Sequence, residues 1–481
     1  MPPSRPDRRR PPGPRRRGGG PVDPARLAAY EVVKAVRVEG AYANLVLPHV
    51  LARLGLEGRD AAFATELASG TLRQQGTYDA VLAACVDRPL SKVEAKVLDA
   101  LRLGCHQLLA MRVPDHAAIS TTVDLVRSKV GPGAGGFANA VLRKVAGSSL
   151  VEWIARVAPD PAADHDGWAA VAHSHPRWVV RHLAEALAAA GASRDELDAL
   201  LAADNVPPRV TLVARPGRST REELLQQAAG GTPTAYSPHG VVVGSGSPSA
   251  VPAVAEGRAG VQDEGSQLVA LALAEAPVDG AGGERWLDLC AGPGGKSALL
   301  AALAGERGAQ LTANERQPHR AGLVLGNLTD RATGRLVPGT AGVVAGDGTA
   351  PPFPVGSFDR VLVDAPCTGL GALRRRPEAR WRREEADLEA LVPLQRALLG
   401  AALDLVRPGG IVLYSTCSPV LEETRGVVET VLAERPDASL GPVSGAVGGV
   451  ADAAGPLPGT VQLWPHRHAT DAMFLALLRR R

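Results

Sequence analysis

The sequence predicts a multidomain protein: an all-α N-terminal domain, a small α+β linker module, and an α/β domain built on a parallel sheet. Three observations carry this. The chain has 481 residues, too many for one ordinary core. Between residues 22 and 146 the apolar residues recur at helical spacing, without strand-like alternation. After Gln262, short continuous apolar runs alternate with helical stretches, the pattern of a parallel sheet covered on both faces.

Residues 1–21 read as a disordered basic arm. Seven arginines (Arg5, Arg8, Arg9, Arg10, Arg15, Arg16, Arg17) stand against Asp7 among prolines and glycines. The whole chain carries +3, so the remainder is about −3. Such a segment cannot bury enough apolar area to fold. It reads either as a phosphate-binding arm or as a solubilising tail. Residues 22–148 form the helical domain. Val97, Leu101, Cys105 and Leu108 share one helix face, and Phe63, Leu67, Thr71 and Leu72 another. The glycines of 131–136 interrupt the pattern, and a last helix is expected over 137–145.

Residues 149–260 are the α+β module. A helix follows His175-Pro176-Arg177-Trp178, strands are expected at 210–213 and 241–243, and a helix at 222–229. Residues 261–481 are the α/β domain, with strands at 285–290, 310–315, 342–345, 359–364 and 410–414. Two late strand candidates, 461–464 and 472–478, are close enough in sequence to pair antiparallel at the sheet edge.

The five cysteines (Cys85, Cys105, Cys290, Cys367, Cys417) are odd in number and widely spaced, with no C-x-x-C pair. That argues against a disulfide framework and a structural metal site. No h-region follows the N-terminal charges, and no apolar run approaches the ~20 residues that span a bilayer. A cytoplasmic, reduced protein with no membrane association and no metal is expected, acting as a monomer.

The chemistry concentrates at strand ends, where open α/β sheets bind their ligands. The first strand leads into Cys290-Ala291-Gly292-Pro293-Gly294-Gly295-Lys296. Its glycines let the backbone approach a ligand closely, and its spacing is not that of a P-loop. Lys296 is the only lysine after Lys144 in a chain that otherwise uses arginine, which suggests that a compact ammonium is needed. Glu315 ends the second strand, where an acidic side chain commonly accepts from ribose hydroxyls. Asp347 ends the third and is a candidate for an adenine edge. The fourth strand leads into Asp364-Ala365-Pro366-Cys367-Thr368-Gly369 and the fifth into Ser415-Thr416-Cys417-Ser418-Pro419. Two cysteines in polar turns after successive strands point to catalysis. Arg374, Arg375, Arg376, Arg380, Arg382 and Arg383, with Trp381 among them, read as a loop that holds a nucleic-acid backbone, or as an exposed charged helix start.

On these motifs, residues 285–420 resemble the RNA cytosine-C5 methyltransferases of the NOL1/NOP2/Sun family. Gln262-Asp263-Glu264-Gly265-Ser266 resembles the segment leading into that family's Rossmann-like class I domain. The helical block resembles a NusB-like RNA-binding domain, a fusion that points to the RsmB (Sun) branch, which modifies 16S (small-subunit) ribosomal RNA. The resemblance implies S-adenosyl-L-methionine as cofactor, wrapped by the 290–296 turn and held by Glu315, Asp347 and Asp364, with Arg320 in support of its carboxylate or ribose. It implies Cys417 as nucleophile on cytosine C6, Cys367 in product release, and Asp364 facing the cytosine N3. Sequence alone does not say which cysteine attacks. A thiolate is needed because cytosine C5 is too electron-poor to attack a sulfonium directly, whereas addition at C6 makes C5 nucleophilic. The target base has to leave its stack.

Three departures from the family pattern stand out. Gly292 replaces the usual alanine, Thr424 replaces the asparagine usual after Glu422-Glu423, and the Arg-x-Asn common near residue 210 is not evident. Competing readings are a tRNA methyltransferase, a non-catalytic RNA-binding factor, and a DNA-type enzyme in which Cys367 attacks.

Overall fold

The computed structural model describes residues 22–280 and 282–481. The basic arm of residues 1–21 lies outside them. The described chain divides after Ala158 into two compact units.

The first unit is all helical. Seven helices run from Pro24–Glu39 to Pro132–Val145 around one core that includes Leu67, Leu72, Leu101 and Cys105, and Leu150–Val157 adds an eighth. Local signals set their ends. The Asp23 carboxylate accepts from the Arg26 N–H ahead of Pro24, and Gly40 closes the first helix in the left-handed conformation. Ser149 and Glu152 form a reciprocal capping box. The last helix of the seven begins at Pro132, five residues earlier than its glycines suggested. Pro132 at the first helical position supplies a preset φ that offsets them.

The second unit begins with helices His165–Ala172, Arg177–Ala189 and Glu196–Ala203. Their apolar faces share a core with Leu370, Leu373, Val420 and Trp464 from the far end of the chain. Four short strands follow: β1 (Thr211–Ala214), β2 (Thr232–Pro233), β3 (Gly240–Val242) and β4 (Ala259–Val261). They form an antiparallel sheet in the order β2-β3-β1-β4 with its own small core. β2, β4 and the helix Glu196–Ala203 were not foreseen; the two strands are too short to show a period.

The main sheet contains β5 (Arg285–Asp288), β6 (Gln310–Glu315), β7 (Thr340–Ala345), β8 (Phe358–Asp364), β9 (Val406–Thr416), β10 (Ala438–Gly441), β11 (Val461–Gln462) and β12 (Phe474–Arg480). Its order is β10-β12-β9-β8-β5-β6-β7, with β11 pairing β12. β5 to β9 are parallel. β12 runs antiparallel to β9, β10 and β11. The two late strands do pair, but the edge itself is β10, which the sequence did not reveal. Side chains alternate between the two faces: Trp286, Leu362 and Leu413 enter one core, and Leu287, Val361, Val363 and Tyr414 the other. The chain goes from β5 outward through β6 and β7, then returns to β8 on the opposite side of β5. The switch point of the sheet therefore lies between the carboxyl ends of β5 and β8.

Candidate active site

The turn after β5 opens directly above this switch point and feeds the helix Gly295–Glu306. Gly294 has φ 108°, and a Cβ there would stand 2.9 Å from the Val324 Cα. Only glycine fits both demands. A Cβ on Gly292 would stand 2.1 Å from Glu315 Oε2, so the departure to glycine at this position lets that carboxylate close on the turn. Gly292 N–H donates to Glu315 Oε2 at 3.0 Å, and Gln317 N–H donates to Oε1 at 2.9 Å. Arg320 Nη2 donates to Gly292 O at 2.7 Å, and its Nη1 lies 3.7 Å from Glu315. Arg320 thus braces the turn from the β6 side. Asp347 is farther out and half-exposed; its Oδ1 accepts from Thr349 N–H at 3.0 Å and Thr349 Oγ1 at 2.8 Å. Those backbone and hydroxyl donors hold its carboxyl below the usual range.

Across the switch point, Lys296 Nζ donates to Asp364 Oδ2 at 2.8 Å, and Ser415 Oγ donates to Asp364 Oδ1 at 3.1 Å. Burial alone would lower the Lys296 pKa, but Asp364, Cys417 and Asp288 raise it, so the ammonium is charged. Cys367 Sγ and Cys417 Sγ lie 3.4 Å apart. Cys417, half-buried, is drawn below the usual thiol range by the Cys367 S–H and by Lys296, against burial and Asp364. Cys367 is pushed well above it by donating to Cys417, by burial, and by Glu423 and Asp364. The two sulfurs thus differ in surroundings: Lys296 lowers the Cys417 pKa, while Glu423 and Asp364 raise that of Cys367. Cys290 is also pushed up, by burial and the surrounding carboxylates.

Several residues that hold this arrangement went unread in the sequence. Asp288, fully buried, accepts from Ser297 Oγ at 2.6 Å, and burial pushes its carboxyl up to about 7. A charged residue ending an apolar strand was its only signal. Glu423 Oε1 accepts from Thr368 N–H at 2.7 Å and Gln395 Nε2 at 3.0 Å, and its Oε2 accepts from Thr368 Oγ1 at 2.5 Å. Thr368 Oγ1 and Ser418 Oγ are 2.9 Å apart, and Gln395 Nε2 also reaches Pro366 O at 2.9 Å. The Thr424 hydroxyl turns away to Val420 O at 2.9 Å, so the crossing contact belongs to Glu423 rather than to position 424.

The arginine loop divides. Arg374 is buried and donates to Ala469 O at 2.9 Å. Arg375 pairs with Asp263 and Asp471. Arg380 is fully buried against Ser174, Asp204 and Asn205. These three carry fold, not phosphate. Dispersed charge on a loop looks the same in sequence whether its partners are phosphates or buried acids. Arg376 is exposed, and Arg382 and Arg383 are half-buried. In the 262–266 motif, Asp263 caps the helix Glu264–Glu275 and Glu264 accepts from the Tyr236 and Ser237 N–H groups at 2.6 and 2.7 Å.

Among the described residues no group of three or more His, Cys, Asp or Glu could hold a metal ion, and no helix is long and apolar enough to cross a membrane.

A sheet with its switch point between β5 and β8, a glycine turn out of β5 and an acidic residue ending β6 is the frame of a class I methyltransferase. Known proteins give the family. Residues 276–479 match the family described as 16S rRNA methyltransferase RsmB/F, and residues 23–147 match the NusB family. A putative methyltransferase of Mycobacterium tuberculosis (strain H37Rv) is 52% identical over 474 residues, covering 97% of this chain and 98% of that one. A probable ribosomal RNA small subunit methyltransferase B of Synechocystis is 31% identical over 470 residues, covering 95% and 99%. The crystal structure of PH0851 shares the fold, with a TM-score of 0.76 at 23% identity over 96% of this chain and 100% of that one. The chain belongs to the RsmB/F family of S-adenosylmethionine-dependent methyltransferases. The turn suits that cofactor: both Glu315 oxygens keep a lone pair beyond their backbone donors.

Proposed function

We propose that this protein transfers a methyl group to C5 of a cytosine in small-subunit (16S) ribosomal RNA, with Cys417 as covalent nucleophile. The observation that carries the reading is the pair of sulfurs, Cys417 and Cys367 at 3.4 Å, beside the Lys296–Asp364 ion pair at the switch point. The rRNA substrate is supported by the names of the relatives and by the NusB-family segment.

S-adenosylmethionine supplies an electrophilic methyl sulfonium when bound. The 290–296 turn, with Glu315, Arg320, Asp347 and Asp364, would hold it. Cys417 thiolate adds to C6, and the electrons of the C5–C6 double bond move onto the ring, making C5 nucleophilic. Asp364 faces N3, and the Lys296 ammonium offsets charge growing there. C5 would take the methyl group as the methyl–sulfur bond breaks to leave a neutral thioether; a base or water then takes the C5 proton, the C5–C6 double bond re-forms, and Cys417 leaves as thiolate. Cys367, its neighbour, assists that departure.

The test compares wild type, Cys417→Ala and Cys367→Ala with labelled S-adenosylmethionine and unmodified 16S ribosomal RNA. Loss of methylation and adduct in Cys417→Ala, with a trapped adduct in Cys367→Ala, supports the reading. Loss of the adduct in Cys367→Ala alone would reverse the roles and restore the DNA-type mechanism.

A further inference from the structure

Glu423 is completely buried, yet no arginine or lysine lies within ion-pair distance of it among the described residues. Its charge is met by hydrogen-bond donors instead, two from Thr368 and one from Gln395. A dry carboxylate on neutral donors is costly unless each donor is well aimed. Here every donor belongs to the segment carrying Cys367 or to the helix behind it. Thr368 is the next residue after Cys367, and Gln395 spans Glu423 Oε1 and Pro366 O, on the other side of Cys367. The same Thr368 hydroxyl meets Ser418, the residue after Cys417. Gly371 N–H closes the circuit by donating to Cys417 O at 2.9 Å, in a gap where a Cβ would stand 2.2 Å from Ala472 O. The two cysteine turns are thus tied to each other one residue beyond each sulfur, and Glu423 is the knot.

We infer that Glu423 is the positioning residue that sets Cys367 against Cys417 for product release. It touches neither sulfur in a hydrogen bond, and acts through the Pro366–Thr368 backbone. A leucine there keeps roughly the volume but supplies no acceptor. Thr368 N–H then loses its partner, Gln395 Nε2 keeps only Pro366 O, and the Thr368 hydroxyl keeps only Ser418. The turn is released on the Cys367 side, whereas Cys417 keeps Lys296 and its own β9 anchor. The formation of the Cys417 adduct is therefore spared more than its breakdown. The inference rests on the proposed covalent route.

The experiment uses the full-length enzyme with S-adenosylmethionine and 16S ribosomal RNA. It measures separately the rate at which a denaturation-resistant protein–RNA adduct appears and the rate at which it is resolved to free methylated RNA. Glu423→Leu is expected to slow resolution by about tenfold, about 1.4 kcal/mol, with adduct formation within about threefold of wild type. Thr368→Val, which loses the hydroxyl but keeps the backbone N–H on Glu423, is expected to show the same split at smaller size. It carries the test if Glu423→Leu fails to fold. Cys367→Ala and Cys417→Ala are run beside them. If Cys367→Ala accumulates adduct while the Glu423 and Thr368 variants slow both steps equally, or neither, the inference is overturned and the covalent reading stands. If neither wild type nor Cys367→Ala forms any adduct, the covalent reading falls and the inference with it.

Discussion

Replacing Arg380 by methionine separates the two meanings that a basic loop can have. The guanidinium is fully buried and donates to Ser174 O at 3.0 Å, Asn205 Oδ1 at 2.8 Å and Asp204 O at 3.3 Å. Methionine keeps the apolar stem but supplies no donor. Three interior acceptors lose a charged partner, and at ~1.5–3 kcal/mol for each charged hydrogen bond the gross loss is roughly 4–9 kcal/mol. Removing the guanidinium also ends its own desolvation penalty, so the net destabilisation should be ~3–5 kcal/mol, the scale found on breaking buried ionic contacts. Urea unfolding followed by tryptophan fluorescence measures this. Arg376→Ala, at an exposed position of the same loop, is the comparison and should stay within ~0.5 kcal/mol. RNA affinity of folded Arg380→Met should keep the wild-type slope of log K against log salt. Unchanged stability together with a slope reduced by about one would show that Arg380 neutralises a phosphate, and the structural assignment would be wrong.

Two further predictions concern ionisation. Because Lys296 draws the Cys417 pKa down, Lys296→Met should raise it; the acid limb of Cys417 alkylation by iodoacetamide should move to higher pH, slowing the reaction at pH 7 by about tenfold. An unmoved limb would remove Lys296 from thiolate stabilisation. Burial pushes the Asp204 carboxyl from 3.8 up to about 7, partly opposed by Arg380 and Arg374. The folded state therefore holds this proton more tightly than the unfolded chain, so its contribution to stability is full below about pH 4 and is lost as pH rises through about 7. The fall amounts to on the order of 4 kcal/mol. Asp204→Asn should flatten that fall in urea-unfolding free energies between pH 4.5 and 8, and an equally steep decline in the variant would exclude Asp204 as its source.

The fold was legible wherever an element is long or buried on both faces. The core strands β5, β6, β8 and β9 announce themselves as apolar runs because a sheet covered by helices has no polar face. The helices of the first unit announce themselves by period. What escaped is short or set by partners far along the chain. β2 has two residues, and β10 has half-buried side chains that gain meaning only beside β12. The helices at 165–203 looked like part of a linker module, yet their apolar faces are matched by Leu370, Val420 and Trp464, more than 160 residues later.

The site divides along the same line. Cysteines, a lone lysine and glycines at strand ends are chemically rare at such places, so their type alone drew notice, and the switch point brings Lys296, Asp364, Cys367 and Cys417 together. Glu423 and Arg380 are ordinary residue types in ordinary helical or polar surroundings, and nothing local distinguishes them from solvated charges. Burial decides their roles, and burial is a property of the whole sheet and its loops. A buried charge met by neutral donors, as at Glu423, or by carbonyl and side-chain amide oxygens, as at Arg380, is tolerated where it fixes one loop geometry over its alternatives. Glu423 lies on the segment after Cys417 and Arg380 on the segment after Cys367, and through Thr368 and Gln395 the first ties the two cysteine turns together.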